Sequence, residues 1–427
     1  MKDVWIRLQD HIDEHRAIDG QENIPFWGGL VGYISYEAGL ETIDVKPPSS
    51  EEHYPDLWFV SIERSIVVDH VLKKVYVQSI RRHDAEWIAR IRDLIQQNCP
   101  VQQPLLSEVN GKEKVSVNPS QMSTPATGSS SDLIDQSQLQ NKSPSFQISG
   151  PSQAEYCDKV RRCQEHIRAG SSYELCLTDQ TLLRYPPKSS PPSPWSLYRR
   201  LRSSNPAPFS AYLNFSSTRD NLSIMSSSPE RFLSWTRSNL CQFRPIKGTV
   251  NKTPTMTRDL AETILKSRKE QAENLMIVDL IRHDLHGVIG SQGVEVKQLM
   301  KVEEYETVYQ LVSVIEGQIP VSESEKTGFD VLKASLPPGS MTGAPKKRSC
   351  EILREVEGNR PRGVYGGVLG YLDVGGGGDF SVVIRTAVKW RDGLKIGAGG
   401  AVTVLSSPEG EWEEMLAKRD SLAAILT

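Results

Sequence analysis

The chain has 427 residues, of which 38% are hydrophobic and 24% charged, so it can bury a large core in one large or two medium domains. Its formal net charge of −3 and pI near 6.3, with basic residues scattered among acidic ones, exclude a nucleic-acid partner on electrostatic grounds. No apolar run approaches the roughly 18 residues of a membrane span and no signal-peptide core follows Met1, which predicts a cytoplasmic protein without a membrane partner.

The first predicted region covers residues 1–99 and carries two strand-like runs. Residues 58–63 and 74–77 are rich in β-branched and aromatic side chains, which predicts sheet rather than a helical module. Residues 100–150 turn to Ser, Gln, Pro, Thr and Asn, so they cannot bury enough apolar surface to offset their ordering entropy. We expect them to be a flexible insertion ahead of the main body, residues 151–427.

Three helices stand out in the main body. Residues 153–170 predict a helix that ends at a glycine, and Pro408 opens a last helix. Residues 258–284 predict one long helix whose dense apolar content requires burial on more than one side.

Three strands are predicted near the C-terminus. Residues 363–373, 380–390 and 394–405 are joined by glycine-rich turns, which predicts an antiparallel meander. Together with the helices, this pattern predicts an α+β fold with large antiparallel sheets.

Residues 245–249 (PIKGT) place Lys247 inside a tight turn. Proline fixes φ before it and glycine frees the backbone after it, so the backbone itself aims the ammonium group. A lysine held in this way can act as a nucleophile, whereas the alternative is an ordinary surface lysine.

Several motifs follow this turn in a fixed order. They are residues 282–285 (RHDL), 338–346 (PGSMTGAPK), 362–367 (RGVYGG), 384–387 (IRTA) and 397–399 (GAG). Together the motifs resemble the chorismate-utilising enzymes over about residues 150–427, with a weaker match at 26–37. The lysine turn is similar to that of the aminodeoxychorismate synthases, whereas the anthranilate synthases carry alanine there.

The resemblance implies a fold and a domain plan. The fold is two large antiparallel sheets packed face to face with helices outside, and the active site lies in the cleft between the halves. Residues 1–99 would then be a truncated N-terminal region of this fold, and residues 151–427 the chorismate-binding catalytic domain.

Two Glu-x-x-Glu pairs are candidate metal ligands: Glu270 with Glu273, and Glu411 with Glu414. The i,i+3 spacing puts both carboxylates of a pair on one helix face, although such pairs are also common on solvated faces. The resemblance implies that they bind Mg²⁺, with Glu273 and Glu414 as main ligands and the other two binding directly or through water.

Arg385 lies in an apolar run that reads as a strand, so its charge needs a partner. A substrate carboxylate and a structural ion pair are both consistent with the sequence. The resemblance assigns Arg385 and Tyr365 to a chorismate carboxylate, and the backbone N–H groups of Gly397 and Gly399 to the same anion. The remaining candidate substrate contacts are Thr249, Thr342, Lys346 and Lys418.

The candidate catalytic residues are Lys247, Glu230 and Glu174. Lys247 would be the nucleophile, but burial and Mg²⁺ lower its pKa while nearby glutamates raise it, and the sequence leaves that balance open. Glu230 would act as acid or base or would position Lys247, unless it forms an ion pair with Arg231 or another basic residue. Glu174 replaces a lysine that serves as base in water-using relatives, and Gln310 replaces a histidine associated with pyruvate loss in anthranilate-forming relatives.

The resemblance implies amination of chorismate at C4 by ammonia. No cysteine lies in a Gly-x-Cys-x-Gly turn, so the ammonia must be free or must come from a glutaminase, separate or fused, that this sequence lacks. Two alternatives stay open: an anthranilate synthase component I, and a truncated, inactive binding or scaffold subunit.

Overall fold

The structure is a computed structural model that describes residues 2–49, 54–98, 147–186, 191–215, 221–320, 326–391 and 393–426. Most of the predicted insertion, residues 100–146, lies outside these ranges. The chain divides into two compact units, residues 1–81 with 144–427, and residues 82–143. All strands described below belong to the first unit.

Ten helices are described. They are α1 (Lys2–Glu14), α2 (Tyr36–Thr42), α3 (Ala85–Asn98), α4 (Gln153–Arg168), α5 (Pro194–Ser204), α6 (Arg258–Leu265), α7 (Arg268–Ile289), α8 (Gly328–Ser335), α9 (Lys346–Val356) and α10 (Pro408–Leu426). Helix α3 lies in the second unit, and the other helices lie in the first. None of these described helices is both long and apolar enough to cross a membrane.

Two large sheets and one hairpin hold the described strands, and every pairing is antiparallel. The nine-stranded sheet has the order β11 (Ile246–Asn251), β13 (Val308–Gln318), β10 (Leu240–Phe243), β9 (Arg231–Trp235), β16 (Gly378–Val382), β15 (Val368–Asp373), β1 (Gly29–Ile34) and β2 (Leu57–Ile62), with β12 (Val294–Glu304) also paired to β13. The seven-stranded sheet has the order β14 (Gly343–Ala344), β6 (Glu174–Arg184), β18 (Gly393–Val402), β17 (Thr386–Trp390), β8 (Leu222–Ser228) and β7 (Phe209–Phe215), with β5 (Gln147–Ser149) also paired to β6. The hairpin is β3 (Arg64–Asp69) with β4 (Lys74–Ser79).

The two large sheets pack face to face through one shared apolar layer. Tyr33 and Leu369 come from the nine-stranded sheet, and Ile224 and Val388 come from the seven-stranded sheet, yet all four belong to one buried cluster. Such a layer is what two sheets form when the alternate residues of each face inward.

Helices cover the outer faces of these sheets. Helix α7 packs on the nine-stranded sheet through Ile277 and Ile281. Helix α10 packs on the seven-stranded sheet through Met415 and Leu422. The predicted α+β class, with two large antiparallel sheets face to face and helices outside, is therefore confirmed.

The chain steps from one large sheet to the other at two adjacent points. The step from β8 to β9 contains Glu230, and the step from β16 to β17 contains Arg385 at a φ of 50°. The steps run side by side, because Val382 N–H donates to Glu230 O and Ser227 N–H donates to Arg385 O, both at 3.1 Å. Side chains at these steps therefore sit where the two sheets meet.

The predicted C-terminal meander is wrong, because β16 and β17 belong to different sheets. Residues 380–390 read as one strand since apolar alternation continues through the step, and alternation does not report which neighbour a strand pairs with. Arg385 accordingly lies between two strands and not within one.

The predicted single helix over residues 258–284 is also wrong, because the chain breaks between α6 and α7. The Ser267 hydroxyl accepts the Glu270 N–H and so caps a new helix. Helix α7 buries one broad face, whereas Leu275 is 49% exposed. The break places Glu270 in the first turn of α7, at the positive end of the helix dipole.

Candidate active site

Lys247 lies at an irregularity in β11 and not in the tight turn that its neighbours predicted. The pairing of β11 with β13 slips between Ile246 and Thr249, and Gly248 adopts a φ of 85° there. This conformation suits glycine, and it turns the Lys247 side chain into the protein, where the residue is 9% exposed.

The Lys247 ammonium group bridges the two sheets. It donates to Glu174 Oε1 on β6 at 3.0 Å and lies 3.9 Å from Glu273 Oε2 on α7. Burial alone would lower the pKa of Lys247, but Glu174 and Glu273 outweigh it and the pKa is raised. The balance that the sequence left open therefore favours the charged lysine when only protein groups surround it.

Glu230 lies beside Lys247 and is 6% exposed. Burial raises the pKa of Glu230 to about 7, against the opposing effects of the Ser340 hydroxyl, Lys247 and the Ile246 N–H. The alternative ion pair with Arg231 is not formed, because Arg231 instead pairs with Asp379 at 2.8 Å. Glu230 is thus a buried carboxyl group that can hold or release a proton near neutral pH.

Three buried carboxylate oxygens of the candidate residues accept no hydrogen bond from the described residues: Glu174 Oε2, Glu273 Oε1 and Glu411 Oε2. Glu411 Oε1 accepts the Ser406 hydroxyl at 2.7 Å. Unsatisfied carboxylate oxygens cost free energy in a buried site unless a cation or donor meets them. The donor set therefore fits a hard divalent cation, although no three His, Cys, Asp or Glu side chains in the described ranges are arranged to hold a metal by themselves.

Glu270 and Glu414, one from each glutamate pair, act on each other electrostatically. Burial raises the pKa of Glu270, and the Glu414 carboxylate raises it further. Although burial alone would raise the pKa of Glu414, its ion pair with Lys418 at 2.7 Å outweighs burial and lowers it. Lys418 also donates to Gly399 O at 2.7 Å, which anchors α10 to β18.

Arg385 has no side-chain hydrogen bond or ion pair among the described residues. Burial lowers its pKa, and among the described groups Tyr365 and Glu414 offset this. Burial also raises the pKa of the Tyr365 hydroxyl. Of the two interpretations that the sequence allowed, the structural ion pair is therefore not observed.

The glycines of β18 allow close packing beside these groups. A Cβ on Gly397 would lie 2.2 Å from the Tyr365 ring, and one on Gly399 would lie 2.1 Å from Leu177 O. Both positions therefore require glycine for packing, whatever their backbone N–H groups bind.

Three further residues that the sequence predicted as substrate contacts form hydrogen bonds with other protein groups. Thr249 is exposed, and its hydroxyl accepts the Gln310 amide at 3.4 Å. The buried Thr342 hydroxyl donates to Gly339 O at 3.1 Å. The Lys346 ammonium donates to Asp284 at 2.6 Å and to Ser335 O at 2.9 Å, so both of these contacts are to protein groups.

One buried network was missed by the sequence analysis. Arg362 is 3% exposed and pairs with Glu357 at 2.6 Å, while it also donates to Met341 O and Cys176 O. It thereby ties β6 to the loop before β14. Arg362 is the first residue of the motif at 362–367, so the sequence could have indicated that Arg362 is important. The residues around Glu357, however, do not indicate that Glu357 is the partner of Arg362.

The sequence matches one protein family and several named enzymes. The sequence pattern of a family described as chorismate binding enzyme matches residues 1–424. The chain is 39% identical over 430 residues to the putative aminodeoxychorismate synthase of Schizosaccharomyces pombe, covering 98% of this chain and 54% of that protein. It is 39% identical over 440 residues to the aminodeoxychorismate synthase of Saccharomyces cerevisiae, covering 98% and 51%. The chain thus spans about half the length of these relatives.

The fold is also found in a solved structure. The crystal structure of anthranilate synthase component I from Streptococcus pneumoniae TIGR4 matches with a TM-score of 0.75 at 24% identity, over 97% of this chain and 85% of that one. At this identity the likeness concerns the fold alone.

Proposed function

Because the chain belongs to the family of chorismate binding enzymes, we propose that it aminates chorismate at C4 with ammonia, as an aminodeoxychorismate synthase. The observation that carries this proposal is the Lys247 ammonium group, buried between the two sheets and 3.0 Å from a carboxylate that can take its proton. The relatives named aminodeoxychorismate synthase support the same reaction.

Arg385 and Tyr365 would bind a chorismate carboxylate. An arginine without a protein partner in the described part of the chain favours an anionic ligand, since its fork matches a carboxylate. The N–H groups of Gly397 and Gly399 would meet the same anion. Thr249, Thr342, Lys346 and Lys418 stay predicted substrate contacts, with Lys418 placed beside Gly399.

The first displacement begins at Lys247. Glu174 accepts a proton from the ammonium group, and the neutral amine forms a bond to C2 of the ring. The C1=C2 and C5=C6 electron pairs shift along the ring and the C4–O bond breaks. Glu230 donates a proton to the departing hydroxyl, which leaves as water, and the proton lost by the attacking nitrogen restores Glu230.

The second displacement reverses the first. Ammonia forms a bond to C4, the two electron pairs shift back, and the C2–N bond to Lys247 breaks as Glu174 returns its proton to the leaving nitrogen. The proton lost by the new C4 amino group restores the Lys247 ammonium group. The net change is chorismate plus ammonia to aminodeoxychorismate plus water, so no oxidant or reductant is needed. We propose that a glutaminase, separate or fused, supplies the ammonia, because no cysteine of this sequence lies in a Gly-x-Cys-x-Gly turn.

The sequence predicted Glu273 and Glu414 as the main Mg²⁺ ligands; in their place Glu273 and Glu411 would hold Mg²⁺, with Glu270 and Glu414 binding directly or through water. Each of the first two presents a buried oxygen without a hydrogen bond from the described residues, and Mg²⁺ prefers carboxylate and water oxygens. When bound, Mg²⁺ supplies positive charge that offsets the carboxylates of the substrate.

Product identity tests the function. The chain is incubated with chorismate, Mg²⁺ and an ammonium salt, and the products are separated by mass spectrometry. We expect aminodeoxychorismate. Anthranilate would instead assign the chain to the sister activity, and no product at any ammonia concentration would favour an inactive binding subunit.

Lys247→Ala tests the mechanism. Without ammonia, the unchanged chain should carry an adduct of chorismate less water on the peptide containing Lys247, and Lys247→Ala should carry none and make no aminodeoxychorismate. Lys252→Ala is the matched control, because Lys252 follows the same strand and pairs with Glu304 at 2.7 Å. Undiminished product from Lys247→Ala, with no adduct on the unchanged chain, would show that the lysine only positions groups.

A further inference from the structure

Glu273 lies between two ammonium groups that differ in exposure. Lys247 Nζ is 3.9 Å from Oε2, and Lys269 Nζ is 3.9 Å from Oε1. The Lys247 side chain is 10% exposed, whereas the Lys269 side chain is 42% exposed. Oε1 accepts no hydrogen bond from the described residues, so Lys269 neutralises it only from a distance.

Lys269 also acts on the other candidate metal ligands. Burial raises the pKa of Glu270 and of Glu411, and Lys269 offsets part of that rise, whereas Lys418 and Lys269 together lower the pKa of Glu414 against burial. Lys269 lies in the first turn of α7, and its side chain is partly exposed to solvent. A third cation near these carboxylates, Lys418, is bound to Glu414 and to Gly399 O and is less exposed than Lys269, at 31%.

We propose that Lys269 is a displaceable counterion of the carboxylate site, which holds the four glutamates together before a divalent cation binds and must move aside when it does. This inference rests on the proposed placement of Mg²⁺ at these glutamates. A cation and an ammonium group near one carboxylate repel each other, so the lysine weakens metal binding. A half-exposed lysine can turn into solvent at low cost, whereas Lys247 cannot.

This arrangement makes metal binding depend on the substrate. Before chorismate binds, one mobile positive charge offsets part of the negative charge of the glutamates. The two carboxylates of chorismate add negative charge to the same space, which favours a divalent cation in place of the lysine. The enzyme would therefore take up its metal more readily together with chorismate than alone.

Metal affinity tests the inference without any activity measurement. Mn²⁺ binding to the substrate-free chain is titrated by electron paramagnetic resonance for the unchanged chain, Lys269→Met and Lys266→Met. Lys266→Met is the matched control, because Lys266 is 48% exposed and pairs with Glu262 on α6 at 2.7 Å. We expect Lys269→Met to bind Mn²⁺ roughly threefold to tenfold more tightly and Lys266→Met to bind as the unchanged chain does.

Unchanged or weaker Mn²⁺ affinity in Lys269→Met would overturn the inference. Glu273→Gln separates this failure from that of the metal placement itself. If Glu273→Gln weakens Mn²⁺ binding while Lys269→Met has no effect, only the role of Lys269 is wrong. If Glu273→Gln leaves Mn²⁺ binding unchanged, the metal does not bind at these glutamates, and both the placement and this inference fail.

Discussion

Lys247 keeps its charge in a buried position because carboxylates surround it. Glu174 and Glu273 together outweigh the desolvation of the ammonium group, so its pKa is raised and not lowered. A nucleophilic amine must first lose its proton, and Glu174 is the group at hydrogen-bond distance that can accept it. The proposed displacement by Lys247 therefore depends on how Lys247 and Glu174 share a proton once chorismate and Mg²⁺ are bound.

Arg385→Lys tests the predicted carboxylate contact at the residue scale. Lysine keeps the positive charge but loses the planar fork, so chorismate affinity should fall by about tenfold or more. Affinity is measured by isothermal titration calorimetry. Arg231→Lys is the control, since its fork binds Asp379 and its loss should leave chorismate affinity unchanged. An Arg385→Lys variant that binds chorismate normally would return Arg385 to a structural role.

Glu230 should make the protein less stable as the pH rises. Its pKa is about 7 in the folded protein, above the ordinary value of 4.5, so the folded state binds the proton more tightly than the unfolded state. The free energy of unfolding should therefore fall between about pH 4.5 and 7 and level off above. Glu230→Gln stays neutral and should reduce that fall by on the order of 1–3 kcal/mol.

Urea denaturation at pH 5 and pH 8 measures this difference. Ser340→Ala offers a second check, because it removes a hydrogen bond that lowers the pKa of Glu230. That variant should show a steeper fall than the unchanged chain. A Glu230→Gln variant with the full fall would mean that other carboxyl groups cause it.

At the scale of elements, the candidate residues lie where regular structure is interrupted. Lys247 lies at the bulge of β11, Glu230 and Arg385 lie at the two steps between sheets, and Glu270 lies in the first turn of α7. A regular strand points its side chains alternately to two faces, so it cannot aim them along its own edge. A bulge, a step between sheets or the first turn of a helix lets a side chain point in a direction that a regular strand does not allow.

Gly397→Ala tests how tightly β18 packs on Tyr365. The new methyl group would lie 2.2 Å from the ring, so either the ring or the strand must shift. We expect KM for chorismate to rise by about tenfold, together with a loss of about 1–3 kcal/mol in the free energy of unfolding. Steady-state kinetics and urea denaturation measure the two effects.

Gly287→Ala is the control for this substitution. A Cβ there meets no atom within 4 Å, and alanine favours the α7 helix, so its stability should be equal or higher. A Gly397→Ala variant that behaves like Gly287→Ala would show that the ring and strand can separate without consequence for binding.

At the scale of the whole molecule, the layer between the two sheets holds the site together. Lys247 comes from one sheet and Glu174 from the other, so their 3.0 Å contact exists only while the sheets keep their spacing. Tyr33 is fully buried in the layer and meets Phe215 of the opposite sheet edge to face, with ring centroids 6.2 Å apart. Aromatic contacts of this kind contribute more than their buried area alone.

Tyr33→Ala should therefore destabilise the protein strongly. Removing a buried aromatic ring costs about 3–5 kcal/mol in the free energy of unfolding. Tyr33→Phe removes only the hydroxyl that donates to Pro55 O at 2.6 Å and should cost about 1–2 kcal/mol. Urea denaturation measures both, and equal losses in the two variants would mean that the hydrogen bond, and not the ring, stabilises the layer.

The sequence by itself determined the α+β class, most of the helix and strand positions and the set of residues that resemble a chorismate site. These features are local, because periodic burial and turn residues are written in consecutive positions. The break before α7 could also have been predicted from the local sequence, because Ser267 is a typical helix N-cap residue.

Only the tertiary structure decided which sheet each strand joined, that Arg385 lies between strands without a protein partner in the described ranges, and that the pKa of Lys247 is raised. The pairing of Arg362 with Glu357 belongs to the same group. Alternation records that a strand has a buried face but not what covers it, and electrostatic effects depend on distances between groups that are remote in sequence. The candidate site residues could therefore be predicted from the sequence, whereas the balance of charges around them depends on the packing of the two sheets.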